Sequence, residues 1–276
     1  QLVAASLLVI AAAALIRSPR IALIGLACFA LHAATTFGPL FVPRAEAAAG
    51  AGTAFRLTTL NLYYKNRDTR RTLDFLAAVK PDVAVFEEAM RHWPASLAPL
   101  AEDMPYVVSV PPAVSYRTGL MVFSRYPIVD VAYERPVAYY QPIVVVRVAI
   151  KDAVVTVIAV HPSHPTSPGK AHIRTRYMKA IADIAARTRG PVVVAGDFNS
   201  SPWSEPFRAM RDQGRLSDAA ARRPWLTTWP SWLPLPGLQL DHVLVNRDVL
   251  VQRLERGPST GSDHYPLTAD LLVRRP

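Results

Sequence analysis

Cysteine is almost missing from this 276-residue chain; the single one, Cys28, lies in an apolar segment. One thiol cannot close a disulfide within the chain or build a cysteine-based metal site. Acidic residues are also scarce, 21 against 31 Lys and Arg, which sets the net charge at +10. The first 50 residues hold three arginines and one glutamate, so +8 of that charge belongs to the remainder. A basic body favours phosphate-bearing partners, nucleic acid or an anionic membrane surface, without choosing between them. No internal repeat is present, and a start at Gln1 rather than Met reads as a chain that begins inside a longer segment. Apolar residues, by contrast, are plentiful: 51% of the chain is hydrophobic and 19% charged. That is enough to bury a sizeable core in one large domain plus an appendage, and it excludes global disorder.

The appendage comes first. Residues 1–16 and 21–42 are almost wholly apolar, with Arg17-Ser18-Pro19-Arg20 between them. The second run is long enough to cross a bilayer and the first slightly short, so a transmembrane helical hairpin over residues 1–44 is expected. A cleaved signal peptide is the competing reading, because Ala45-Glu46-Ala47 resembles a small-residue cleavage site. Two arginines in the short connection put it in the cytoplasm by the positive-inside rule, and the following domain outside, in the periplasm. Residues 45–54, rich in Ala and Gly, read as a linker.

From residue 55 onward strands alternate with helices. Strands are predicted over 55–61, 82–86, 106–110, 119–124, 128–132, 143–150, 154–160, 192–195, 240–246, 249–255 and 267–272. Helices are predicted over 69–79 with Asp68 as cap, 92–102, 171–188 and 204–213, the last opened by Pro202. Consecutive strands mixed with βα units predict two sheets packed face to face with helices outside.

Polar residues fall at the ends of these strands. Asn61 closes the first, Glu87-Glu88 the second, and His161 the strand over 154–160. Asp197 and Asn199 follow the apolar run 191–195, in Gly196-Asp197-Phe198-Asn199; Asp241 and Ser262-Asp263-His264 come later. Each has a plain explanation: Asp and Asn make Asx turns, Glu87 and Glu88 are a solvated strand end, and a lone histidine packs or faces water. His32, His92 and His172 are left in that class. Together, however, such residues at successive strand ends converge on one rim, where their charge repulsion calls for a cation or a phosphate.

This ordered set, Asn61, Glu88, His161, Gly196-Asp197-Phe198-Asn199, Asp241 and Ser262-Asp263-His264, resembles the endonuclease/exonuclease/phosphatase superfamily. Pancreatic-type deoxyribonucleases, abasic-site endonucleases, inositol-polyphosphate 5-phosphatases and bacterial sphingomyelinases are among its members. The likeness runs from about residue 55 to the C-terminus, and the N-terminal hairpin is similar to a bacterial membrane-anchored branch. It implies a four-layer α/β-sandwich and a phosphoester hydrolase. By the resemblance, Glu88 is the principal metal ligand, with Asn61 beside it and Asp263 nearby. Oxygen donors of this kind suit Mg²⁺, with Mn²⁺ as a substitute. The resemblance further implies that Asp197 orients or deprotonates the attacking water and that Asn199 donates to phosphoryl oxygens. His264, held by Asp241, contacts the phosphate or acts as base, and His161 assists on the phosphate or leaving-group side.

Two departures qualify it. Glu87 stands where many relatives carry Gln, and the segment after Asn61 lacks the second acidic ligand of some abasic-site nucleases, which lowers the case for DNA repair. In residues 222–237, Trp225, Trp229 and Trp232 read as a loop packed over the sheet, with Thr228-Trp229 near the site; a membrane-facing or base-stacking lip is the sharper alternative. The substrate classes left open are nucleic acid and a phospholipid headgroup, acted on by a monomer. A binding module that keeps the fold without chemistry is the reading from a different class.

Overall fold

The computed structural model describes residues 10–11, 18–37, 51–110, 119–138, 140–222, 226–233 and 237–274. Helix α1 (Pro19–Phe37) covers most of the second apolar run. Among the described residues no helix is long and apolar enough to cross a membrane. Nearly all of the first run, the proposed cleavage site and linker residues 45–50 lie outside the described residues.

The body opens with β1 (Gly52–Asn61), which starts three residues before the predicted strand because Gly52–Ala54 pair with the C-terminal strand. Helix α2 (Thr69–Val79) is capped by the Asp68 carboxylate, which accepts the Arg71 N–H, an interaction of about 1 kcal/mol. Next come β2 (Val83–Glu87), a short α3 (Trp93–Leu97) running into a 3₁₀ turn at Ala98–Glu102, β3 (Tyr106–Ser109) and β4 (Met121–Ser124). The second half holds β5 (Ile128–Glu134), β6 (Ile143–Ile150), β7 (Ala153–Val160), α4 (Pro168–Arg187), β8 (Val192–Asp197) and α5 (Glu205–Gln213). After them come β9 (Ser217–Asp218), β10 (Asp241–Val245), β11 (Val249–Arg256) and β12 (Leu267–Arg274). Helix α4 begins at Pro168, earlier than predicted, because Ser167 caps it and proline suits its first position. Pro202 does not open α5; residues 201–204 form a turn and Ser204 is the cap position.

Two six-stranded sheets form, in the orders β11-β12-β1-β2-β4-β3 and β5-β6-β7-β8-β10-β9. Among the described strands only β1/β2 and β7/β8 pair in parallel, each joined by a helical crossover. A Val- and Leu-rich core fills the space between the sheets. Sheet one packs its outer face on α2 and α3, and sheet two on α4 and α5. Central strands covered on both faces cannot alternate with water, which is why β2 and β8 read as continuous apolar runs and are buried throughout. The predicted four-layer sandwich is thus present in the body.

Candidate active site

The parallel pairs set the site. β1 and β2 run side by side and end at Asn61 and Glu87, and β7 and β8 end at Val160 and Asp197. β10 runs antiparallel to β8 and begins where β8 ends, so Asp241 pairs directly with Asp197. β12 enters antiparallel to β1, which carries the loop 261–264 to the same rim. Ser262 fastens that loop: its hydroxyl donates to the Asn61 carbonyl at 2.6 Å and accepts the His264 N–H at 3.0 Å.

Asp197 is at the centre. Its Oδ1 accepts the Asn199 N–H at 2.7 Å, an Asx turn that holds Asn199 in the left-handed region. Its Oδ2 accepts the Asn61 side-chain N–H at 3.1 Å and lies 3.5 Å from His161 Nε2 and 3.8 Å from His264 Nε2. The turn reading and the site reading of Asp197 are therefore both true, one for each oxygen. Gly196 makes the approach possible: at φ +148° it would place a Cβ 2.0 Å from the Val160 carbonyl oxygen. Asn199 turns its amide toward Pro162 O (3.0 Å) and Asp197 Oδ2 (3.3 Å), and the Arg174 guanidinium donates to its carbonyl at 2.7 Å.

His264 Nδ1 lies 2.8 Å from Asp241 Oδ2. Burial works against a charged imidazole here, yet the charges of Asp241 and Asp197 and the bond to Asp241 outweigh it and raise His264 to about 10. For Asp197, burial is again the opposing influence; the charge of His264 and the contact with His161 overcome it and hold the carboxyl at about 2. Burial leaves Asp241 above the usual carboxylate range despite the pull of His264. Atoms of Asp197, Asp241 and His264 lie within 4.8 Å of one another. Within the three, His264 and Asp241 share a hydrogen bond, and each residue offers one atom that could ligate a cation.

The more open oxygen donors lie at Glu88. This residue follows β2 in a left-handed turn (φ 54°), with Oε2 accepting the Tyr64 N–H at 3.1 Å and Oε1 3.4 Å from the Asn61 amide nitrogen. The Asn61 oxygen accepts the Tyr63 N–H at 3.0 Å, so its amide nitrogen, not its oxygen, faces Glu88 and Asp197. Asp263, half-buried, is raised by burial first and also by the charge of Glu88, while its Oδ2 accepts a long bond from the Trp229 indole at 3.4 Å. Two carboxylates that repel one another, bordered by an amide, are a hard-donor set that fits Mg²⁺ or Mn²⁺.

Glu87 corrects the solvated-strand-end reading. It is fully buried, accepts from Thr59 Oγ1 at 2.9 Å, and its other oxygen has no hydrogen-bond partner. Burial, then Asp241 and Asp197, push it well above its ordinary value. A neutral carboxyl is close in shape to the Gln that the family resemblance leads one to expect there. Thr228, expected near the site, accepts the main-chain N–H groups of Leu240 and Asp241 at 2.9 and 3.1 Å and so fixes the start of β10. Trp225 lies outside the described residues, while Trp232 is exposed. His161 is buried beside Asp197, with Nδ1 lacking a partner, whereas His164 is exposed and outside the cluster.

The endonuclease/exonuclease/phosphatase family matches residues 58–264, more than half of the chain. A solved protein of that family from Bacteroides thetaiotaomicron is similar in fold, with a TM-score of 0.67 and 15% identity over 82% of this chain and 100% of that one. TDP2 of D. rerio, complexed with single-strand DNA product, gives a TM-score of 0.64 and 13% identity over 79% of this chain and 98% of that one. In sequence, 99 residues are 31% identical to a UPF0294 protein of Vibrio parahaemolyticus, covering 36% of this chain and 34%, about a third, of that relative's length. With the match reaching from Thr58 in β1 to His264 and covering about three quarters of its length, the chain belongs to the endonuclease/exonuclease/phosphatase family.

Proposed function

We propose that this chain is a divalent-metal-dependent phosphodiesterase of the nuclease type. One observation carries the reading: His264 stands between two buried carboxylates, 2.8 Å from Asp241 and 3.8 Å from Asp197, and the Asn61 amide joins Asp197 to the oxygen donors of Glu88. A phosphodiester brought to that rim meets a cationic donor on one side and a carboxylate set on the other. Glu88, with Asp263 beside it, would hold Mg²⁺ (or Mn²⁺), which would neutralise charge on the phosphoryl group and make water more acidic. Asn61, expected from sequence as a further ligand, turns its amide nitrogen to Glu88 and Asp197 and steadies those carboxylates. A carboxyl as low as Asp197 is a weak base and a histidine as high as His264 carries its proton already. The division of labour follows: Asp197 orients the attacking water, and His264 donates to the phosphoryl oxygens. Asp241 keeps His264 in register, and His161 meets the phosphate or leaving group. Asn199 steadies Asp197.

A panel of plasmid DNA, RNA, sphingomyelin and a soluble phosphodiester, each with and without chelator, tests this. Chelator-sensitive turnover of nucleic acid is expected. Turnover of sphingomyelin alone transfers the reading to a phospholipid phosphodiesterase, and binding without turnover anywhere transfers it to a non-catalytic module. For the N-terminal segment we propose membrane association with the body on the periplasmic side. Leu23, Ile24 and Leu31 of α1 are 68%, 62% and 62% exposed and support it. Recovery of the chain in the salt-washed soluble fraction would count against that placement.

A further inference from the structure

Two loops that leave neighbouring strand ends, residues 62–68 after β1 and 88–92 after β2, enclose a cavity of about 500 Å³ lined by Tyr64, Lys65, Arg67, Arg91 and His92. It adjoins the rim directly, because Tyr64 gives its N–H to Glu88 Oε2 at 3.1 Å. The Trp93 indole, which donates to Tyr63 O at 3.3 Å, ties the same loops together. Tyr63, Glu88 and Arg91 are all held at positive φ, 56°, 54° and 59°, conformations that cost energy and persist where surrounding contacts impose them.

The chemistry of the lining is one-sided. The Lys65 ammonium and the Arg91 guanidinium lie 5.5 and 5.1 Å from the centre of the Tyr64 ring. Among the described residues no carboxylate lies within 4.0 Å of Lys65, Arg67 or Arg91, and nearby Asp68 is taken by Arg71 at 3.0 Å. His92 Nε2 is buried and lacks a hydrogen-bond partner. Exposed Lys and Arg are ordinarily a solvated face. That explanation leaves out the concavity, the two cations set against one ring and the stranded His92 nitrogen.

We propose that this cavity binds a second phosphate of a nucleic-acid strand, with its adjoining sugar and base against Tyr64, while the phosphate to be cleaved sits at Glu88, Asp197 and His264. The proposal rests on the phosphodiesterase reading and narrows its substrate class. Cations that follow a backbone and an aromatic that accepts any base are the usual means of holding single strands. A headgroup with a single phosphate would leave the cavity empty. A bilayer surface fits poorly too, since membrane docking pairs cations with an apolar face and this lining contains no aliphatic side chain.

The test uses Lys65→Ala, Arg91→Asn (Asn tolerates the left-handed backbone) and the double variant, each checked for native circular dichroism. Binding of a fluorescein-labelled single-stranded oligonucleotide is followed by anisotropy in EDTA across a salt series. Hydrolysis of the oligonucleotide and of bis(p-nitrophenyl) phosphate is followed with Mg²⁺. Each substitution is expected to raise Kd about tenfold and to flatten the log Kd against log salt slope by about 0.7. Turnover of the small diester stays at the parent level. Unchanged Kd and slope in the double variant overturn the proposal, as does equal loss on both substrates, which would mean that only Glu88 was disturbed. Loss of binding to phosphatidylglycerol vesicles with oligonucleotide binding intact overturns it in favour of a membrane surface. If the parent chain hydrolyses neither substrate but the variants still lose oligonucleotide binding, the phosphodiesterase reading fails and the cavity assignment stands.

Discussion

Asp241 pairs directly with Asp197 across the β8–β10 ladder, and both carboxylates are buried. Like charges directly opposite one another destabilise a sheet. His264 relieves this pair, with one nitrogen 2.8 Å from Asp241 and the other 3.8 Å from Asp197. Replacing Asp241 with Asn keeps the shape and removes the charge that holds the imidazolium. Asp241→Asn, Asp197→Ala and His264→Ala are each expected to lower kcat by at least about 10²–10³-fold while the domain stays folded. Steady-state kinetics on the preferred phosphodiester, with circular dichroism alongside, checks it; full activity in any of the three removes that residue from its role.

The same cluster makes stability depend on pH in a stated direction. His264 rises from its ordinary 6.5 to about 10 in the fold. A raised histidine contributes its full stability below its unfolded value and loses it as pH climbs through the folded one. The Tm deficit of His264→Asn, measured in chelator, is therefore expected to be largest near about pH 6 and to shrink toward about pH 10. A deficit that is flat over this range would mean that the histidine titrates alike in both states.

Glu87 works in the opposite sense. Its raised carboxyl keeps a proton that the unfolded chain releases above about pH 4.3, so stability falls as pH rises beyond that point. Glu87→Gln retains an acceptor for Thr59 and removes the titration. Its Tm is expected to exceed that of the parent, by a margin that widens between about pH 5 and about pH 8. Thermal scans at both ends decide the matter: a constant or reversed margin would place an ionised carboxylate at Glu87.

Gly196→Ala should be costly wherever it is measured. The added Cβ would meet backbone, Val160 O at 2.0 Å, at a φ of +148°. Strain plus clash is expected to cost about 3 kcal/mol or more, a Tm decrease of roughly 6–12 °C for a domain of this size. A variant melting within a degree or two of the parent would show that β8 can shift away from β7 without penalty.

Much of this was readable along the chain. β6, β7 and β8 are short β-branched runs bounded by turn formers, and period and composition locate them to within a residue or two. Asn61, Asp197, Asn199 and Asp241 were legible as polar breaks at the margins of such runs. Glu87 was not, because in sequence a carboxylate at a strand end looks the same whether the strand is covered on one face or on both. His92 was not either: its significance comes from Tyr64 and Lys65, which arrive on a different loop.

The amino-acid order alone determined which segments are strands and helices, which polar residues stand at strand ends as candidates for phosphoester chemistry, and that the body is basic. These are local properties, set by side-chain period, backbone preference and charge. The fold decided that Asp197 faces Asp241 with His264 to hold them, that Glu87 is sealed from water, and that Lys65 and Arg91 share one ring. Each of these depends on strand register and on loops meeting from distant parts of the chain, and such distances exist only once the two sheets have closed on their common core.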